Sequence, residues 1–375
     1  MSGMQLNTRA VHAGREDLTD LGLHAAPIDL STTYPSHDSH EEASRLDRAK
    51  LGEDLGGSPI YGRIGNPTVA RFETALANLE GAEAAVAFAT GMAALSACLL
   101  AVAAQGKRHV VAVRPLYGTT DHLIDSGLLG TEVTWSTVDM LADDVRADTG
   151  LVIVESPANP TLSEVDIKAI DVDVPVLVDN TFATPVLQRP LELGADIVLH
   201  SATKFLGGHG DVLGGVVACD EQFARRLRAV RTGTGGILHP LAGYLLLRGL
   251  STLPVRIRAA SRTAAELARR LADHPGVSRV HRPSIGGPMV SFEVHGDPHT
   301  VIGAVQLITP AVSLGSVDTL IQHPGSLSHR VMADEDRRGA GVSDQLLRLS
   351  VGLEDVDDLW TDLDQALSQC KSSLG

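Results

Sequence analysis

Six short apolar runs, separated by helix-like stretches, constrain this chain more than any other feature. "HVVAVRP", "EVTWSTV", "GLVIVESP", "PVLVDNT", "ADIVLHS" and "LGGVVAC" all fall between residues 109 and 219. They are nearly continuous in Val, Ile and Leu, the pattern of strands buried on both faces. The helical patterns between several of them predict an α/β chain, a parallel-rich sheet with helices on both faces. Ligands of such sheets bind beyond the carboxyl ends of the strands. The residues just after each run are therefore the first candidates for a site.

One stretch competes with that reading. "AAVAFATGMAALSACLLAVAA", residues 84–104, is long enough to cross a bilayer. Thr90–Gly91 breaks it, however, and a broken apolar run fits a buried strand followed by a buried helix from Met92. On either side of this α/β region the pattern changes. Before it, "PIDLSTTYPS" reads as extended and "HDSHEEASRLDRAKLGEDLGG" as a charged, exposed helix or loop. After it, "STLPVRIRAASRTAAELARRLADHPGV" reads as an amphipathic helix, then "PMVSFEV", "LLRLSVG" and a closing helix "DVDDLWTDLDQALSQCK". The expected division is an N-terminal segment 1–58, a large ligand-binding domain 59–250, and a smaller α+β domain 251–375. A length of 375 residues suits two packed domains.

The net charge of −15 argues against a non-specific grip on nucleic acid or an anionic membrane, so an anionic ligand needs a local site. Cys98, Cys219 and Cys370 are scattered, without metal-ligand spacing, which predicts no zinc site, no disulfide framework and a cytoplasmic protein. The opening "MSGMQLNTRAVHAG" reads as no signal peptide.

Each strand end carries a polar group. Thr90–Gly91–Met92 come after "AVAFA", Leu116–Tyr117–Gly118 after "VVAVRP", and Ala158–Asn159–Pro160 after "VIVESP". Asp179–Asn180–Thr181 come after "VLV", and Ser201, Thr203 and Lys204 after "IVLH". Each alone has a plain reading: a solvated lysine, a capping aspartate, a turn glycine, a packed tyrosine. Together they suit one chemistry. A helix opened by Gly91 offers free N–H groups to a phosphate, and Ser201 and Thr203 can add hydroxyls. Lys204, one of only five lysines, can bond to an aldehyde as a Schiff base. Asp179 can keep a pyridine nitrogen protonated, as pyridoxal phosphate requires of its protein. Tyr117 can lie flat on that ring.

In order along the chain stand "YGRIGNPT", "ATGMAAL", "LYGTT", "ESPANP", "VDNTFATP", "SATKFLGGHGDVLGG", "SLG" and "LLRLSVGLED". On these the chain resembles, over nearly its whole length, the pyridoxal-phosphate enzymes of cysteine and methionine metabolism. The resemblance implies the fold-type I, aminotransferase-like architecture. It implies Lys204 as the covalent anchor, Asp179 as the pyridinium partner, and Gly91, Met92, Ser201 and Thr203 at the phosphate. Tyr61 and Arg63 would reach the phosphate of a neighbouring subunit, making a dimer with shared sites and a homotetramer. Arg348, helped by Ser313 and Asn159, would clamp the substrate carboxylate. The chain departs from its relatives in lacking a stretch between "HRPSI" and "GGPMVSFEV", and in a longer charged segment at 36–58.

The parts predict γ-elimination on a sulfur amino acid. Lys204 would take the α-proton, and Tyr117 would protonate the departing thiol. Relatives that take cystathionine commonly carry glutamates where this chain has Val312 and Ile60. Against these apolar residues cystathionine's distal charges would be unpaired, at a cost of several kcal/mol, whereas methionine's S-methyl tail would fit. Thr119 stands where methionine γ-lyases usually carry cysteine. The expected activity is that of a methionine γ-lyase. The alternatives are a cystathionine γ-lyase, a γ-replacement enzyme (cystathionine γ-synthase or O-acylhomoserine sulfhydrylase), or a binding protein that has lost catalysis.

Overall fold

The computed structural model describes residues 3–55 and 59–371, with Lys371 described by its backbone alone. The expected boundary at 58/59 touches residues 56–58, which lie outside the described residues, as do 1, 2 and 372–375.

Seven strands make the larger sheet: β1 (Ala84–Phe88), β2 (His109–Val113), β3 (Glu132–Ser136), β4 (Thr149–Glu155), β5 (Val176–Asp179), β6 (Ile197–His200) and β7 (Gly215–Cys219). Their order is β1-β7-β6-β5-β4-β2-β3. β7 runs antiparallel to both its neighbours, and every other pair is parallel. β3 departs from the sequence reading. All five of its residues are partly or fully exposed, because it lies at the sheet edge with only β2 beside it. "EVTWS" alternates polar and apolar residues, the mark of a half-covered strand.

Helices cover both faces. Gly91–Ala103 and Glu221–Thr234 pack on one side around Leu95, Leu99, Ile153 and Leu227. Pro67–Glu80 and Pro240–Leu250 pack on the other, around Phe72, Leu76 and Leu246. Burying each such side chain contributes about 1.5–3 kcal/mol. The segment 84–104 is β1 followed by the helix Gly91–Ala103, and no helix among the described residues is long and apolar enough to cross a membrane.

A second sheet is built from β8 (Val277–His281), β9 (Met289–Val294), β10 (Thr309–Pro310), β11 (Leu320–Gln322) and β12 (Leu346–Ser350). Its order is β10-β11-β12-β9-β8. The helix Val356–Lys371 and the second half of Leu253–Asp273 cover it, enclosing Phe292, Leu347, Leu359 and Leu363. The first half of Leu253–Asp273 packs elsewhere: Leu253 and Ile257 join the core beneath the large sheet. One helix thus carries both cores.

Candidate active site

Lys204 lies four residues past β6, in the turns after the strand. Its Nζ donates to Ser313 Oγ at 2.6 Å. Burial, and secondarily the nearby Arg348 guanidinium, push its amine down to about 8. Ser313 reaches Lys204 by way of a strained backbone, with φ at +96° on a residue that is not glycine. Two residues on, Gly315 has φ +86°, and a Cβ there would lie 2.5 Å from Phe205 N and 2.7 Å from the Lys204 carbonyl carbon. Only glycine lets this turn close onto the lysine.

Asp179 ends β5. Its Oδ1 accepts from Thr181 Oγ1 at 2.5 Å and Thr181 N at 3.0 Å. Burial raises its carboxyl, against the lowering effect of the Thr181 bonds and of His200. Beside it in register stands Glu155, the end of β4. Glu155 accepts from Tyr117 N at 2.6 Å and Asn159 N at 2.9 Å. Burial, then Asp179, push its carboxyl well up. Neither carboxylate has an ion-paired cation among the described residues, so a cation brought next to Asp179 would be strongly favoured.

Arg348, in the middle of β12, is buried. Its Nη1 donates to Asn159 Oδ1 at 2.5 Å and its Nη2 to the Ser313 carbonyl at 2.8 Å. With its amide turned, Gln322 accepts from both at 3.2 and 2.8 Å. All these acceptors are neutral, and Arg348 Nε is buried with no partner. Burial pulls this guanidinium down to about 10. A buried cation with a donor to spare suits a carboxylate.

The helix Gly91–Ala103 begins on the same rim. Thr90 caps it, its Oγ1 accepting from Ala93 N at 3.0 Å. A Cβ on Gly91 would meet Ser201 Cβ at 3.0 Å and Oγ at 3.2 Å, so Ser201 lies against the helix start. Thr203 turns its hydroxyl to the backbone of Gly214. Its hydroxyl donates to Gly214 O at 3.2 Å and accepts from Gly214 N at 3.0 Å, a reciprocal bond that ties the lysine turn to β7. Tyr117, 37% exposed, precedes the helix Gly118–Asp125, which carries the half-buried Thr119.

Lys204, Ser313, Arg348 and Asn159 are thus joined by direct hydrogen bonds. Tyr61, Arg63 and Ile60 stand apart from them. Arg63 donates to the Thr232 carbonyl and lies 5.6 Å from the Tyr61 ring centroid. With Ile60 it lines a separate cleft of about 760 Å³ that includes Arg231 and Leu238. Ile60 is buried, whereas Val312 is 59% exposed. Sequence reasoning gave no role to Glu155, Thr181, Gln322 or the buried His329. The first two lie inside the motifs "ESPANP" and "VDNTFATP"; the last two carry no local signal.

The donor set suits a group that combines an aldehyde, an anionic phosphate and a protonated ring nitrogen. The amine is desolvated, the helix start offers free N–H groups beside a serine hydroxyl, and Asp179 lacks a cation. Comparison with known proteins agrees. Residues 7–368 match the family model for Cys/Met metabolism PLP-dependent enzymes. A protein of Streptomyces avermitilis named L-methionine gamma-lyase is 71% identical over 96% of this chain and 89% of its own length. Another of that name, from Brevibacterium sandarakinum, is 50% identical over the whole of both chains. Among solved structures, cystathionine gamma-lyase from Lactobacillus plantarum matches with a TM-score of 0.87 and 33% identity, over 98% of this chain and 100% of its own. Cystathionine gamma synthase from Xanthomonas oryzae pv. oryzae matches with a TM-score of 0.88 at 33% identity, over 99% and 100%. This chain therefore belongs to the pyridoxal-phosphate-dependent enzymes of Cys/Met metabolism and has their fold-type I architecture.

Proposed function

We propose that the protein cleaves L-methionine, with water, to methanethiol, 2-oxobutanoate and ammonia. The observation that carries this reading is the 71% identity, over 96% of the chain, to a protein named L-methionine gamma-lyase. An apolar Val312 beside the lysine-bound Ser313 supports it, since a methylthio tail needs no charged partner.

Pyridoxal phosphate, when bound, draws electrons from the amino acid's Cα and so acidifies the protons there. The protein does the rest. Gly91 and Met92 would give backbone N–H groups, and Ser201 and Thr203 hydroxyls, to the phosphate; Thr203 would exchange its Gly214 bond to do so. Asp179, held by Thr181, would support the charge on the ring nitrogen. Lys204 would anchor the cofactor covalently, and its amine, once free, would accept the α-proton. Arg348 fixes the substrate carboxylate, with Asn159 and Ser313 orienting the guanidinium. Tyr117 would stack on the ring and deliver a proton to the departing sulfur.

The working unit in this reading is a homo-oligomer, a dimer with shared sites and then a tetramer. The exposed Tyr61 and the Arg63 turned to Thr232 support it, since neither serves Lys204 of its own chain. Residues 59–250 act as the cofactor domain and 251–375 as the smaller domain. Three free, buried cysteines favour a cytoplasmic setting. The test is to measure 2-oxobutanoate release from methionine, cystathionine and O-acylhomoserine side by side. Methionine should give the highest kcat/KM; a strong preference for cystathionine would establish the second activity instead.

A further inference from the structure

Two buried side chains outside the set already assigned meet the site from opposite directions. Glu155 reaches up from the end of β4, and His329 comes down from the segment after β11. Glu155 Oε2 accepts from Tyr117 N at 2.6 Å, and Oε1 from Asn159 N at 2.9 Å. His329 Nε2 lies 3.3 Å from the Leu116 carbonyl and 3.2 Å from the Asn159 carbonyl. Both partners of Nε2 are acceptors only, so Nε2 carries the hydrogen. Nδ1 faces Ser328 Oγ at 3.0 Å.

The pairing is closer than four separate bonds suggest. The Leu116 carbonyl and the Tyr117 N–H belong to one peptide unit, and that unit is held at one edge by His329 and at the other by Glu155. Asn159 is held the same way, its own N–H by Glu155 and its own carbonyl by His329. The segment carrying His329 sits directly on the turn: a Cβ on Gly118 would lie 2.3 Å from Ser328 O. We propose that Glu155 and His329 are a positioning pair that locks Tyr117 and Asn159 in one register. The pair sets ring stacking and, through Asn159 and Arg348, carboxylate binding together. This rests on the roles given above to Tyr117 and Asn159. Burial, and then Arg348, hold His329 down at about 4, so the ring stays neutral over the working pH range and keeps its Nδ1 acceptor.

The test uses Glu155→Gln, His329→Leu, His329→Gln and the double variant Glu155→Gln/His329→Leu. Three quantities are read: exchange of the Tyr117 and Asn159 amides without added cofactor, visible circular dichroism of the bound cofactor, and kcat and KM separately. Glu155→Gln and His329→Leu should each speed exchange at both amides, weaken the dichroism, and raise KM by about two- to tenfold, the scale of one lost hydrogen bond. His329→Gln, whose amide N–H reaches about as far, should recover most of the loss. The double variant should be within about twofold of the worse single, because both brace the same two groups. Amides as protected as in the wild type, or effects that simply multiply, would overturn the pair. If Glu155→Gln does not fold, the contrast between Gln and Leu at 329 decides alone: equal damage from both overturns it. A wild type inactive on methionine would overturn the assigned substrate, while the amide and dichroism results would still judge the pair.

Discussion

Lys204 Nζ and Ser313 Oγ lie 2.6 Å apart although 109 residues separate them in sequence. The same serine gives its carbonyl to Arg348 Nη2 at 2.8 Å. One residue therefore holds the lysine amine with its side chain and the guanidinium with its backbone. The positive φ at Ser313 makes this possible, and such strain persists only where surrounding contacts enforce it. Burial lowers the lysine's affinity for a proton, and the nearby Arg348 guanidinium lowers it further.

The first consequence is a pH dependence of cofactor capture. The Lys204 amine is held at about 8, below its ordinary 10.5. Only the neutral amine attacks an aldehyde, so capture should be slow below pH 8 and level off above it. Adding pyridoxal phosphate to protein stripped of cofactor and tracking the absorbance band should give a half-point near pH 8. A half-point near 10.5 would refute the desolvated amine. Lys204→Ala should lose both band and turnover.

Arg348 offers a second check. Arg348→Lys keeps a charge but loses the planar fork that meets a carboxylate at two points. The KM for methionine should rise by about tenfold to a hundredfold, the range for a lost charge-assisted bond. Cofactor retention, measured by absorbance after dialysis, should hardly change. Loss of cofactor instead would place Arg348 on the cofactor and not on the substrate.

His329 should make the protein acid-sensitive. Its folded value of about 4 lies below the ordinary 6.5, so below pH 6.5 the unfolded chain takes up a proton that the folded one refuses. Stability is present in full above 6.5 and falls as pH drops towards 4, by at most about 3 kcal/mol from this group. Urea midpoints at pH 7 and pH 4.5 should therefore differ less in His329→Gln than in the wild type. The buried His109 and His323 are shifted the same way and will keep some slope in both.

Why the strand-end rim is legible in the sequence is a matter of period. Val-rich runs mark strands, and the residues just past each run lie at that strand's carboxyl end; Lys204, Asp179 and Tyr117 stand out in this way. Glu155 closes "VIVE" and is as visible as Asp179, but its partners' N–H groups come from residue 117 and from a turn, which no period predicts. His329 touches a carbonyl 213 residues away from a segment with no regular pattern. The reciprocal bond of Thr203 with Gly214 depends on how β7 returns antiparallel beside β6, and strand direction is not written in composition. β3 reads as covered only by analogy with its neighbours, although "EVTWS" itself alternates.

Sharing of sites between subunits can be tested by mixing. Tyr61→Phe and Arg63→Ala should each weaken cofactor retention. Hybrids of either with Lys204→Ala should regain part of the activity, because one site in the pair would then have both its lysine and its neighbour's phosphate contacts intact. Verified hybrids that stay inactive would mean that Tyr61 and Arg63 serve their own chain.

Specificity should turn on residue 312. Val312 is exposed by 59%, and it adjoins the serine that binds Lys204, so a longer side chain there can reach into the site without displacing core. Cystathionine ends in an ammonium and a carboxylate, and an apolar residue leaves that ammonium without a partner. Val312→Glu supplies one. A charge-assisted bond contributes about 1.5–3 kcal/mol, so kcat/KM for cystathionine relative to methionine should rise about tenfold or more. The gain should come from both terms, since a carboxylate facing an S-methyl group must be desolvated for nothing in return. Stability should change little, as the position carries no core packing. Ile60 makes a useful contrast: it is buried in its own subunit, so Ile60→Glu should destabilise before it redirects specificity. An unchanged substrate ratio in Val312→Glu, with the protein folded and the cofactor bound, would mean that residue 312 does not read the tail, and the apolar-wall argument for methionine would fall with it.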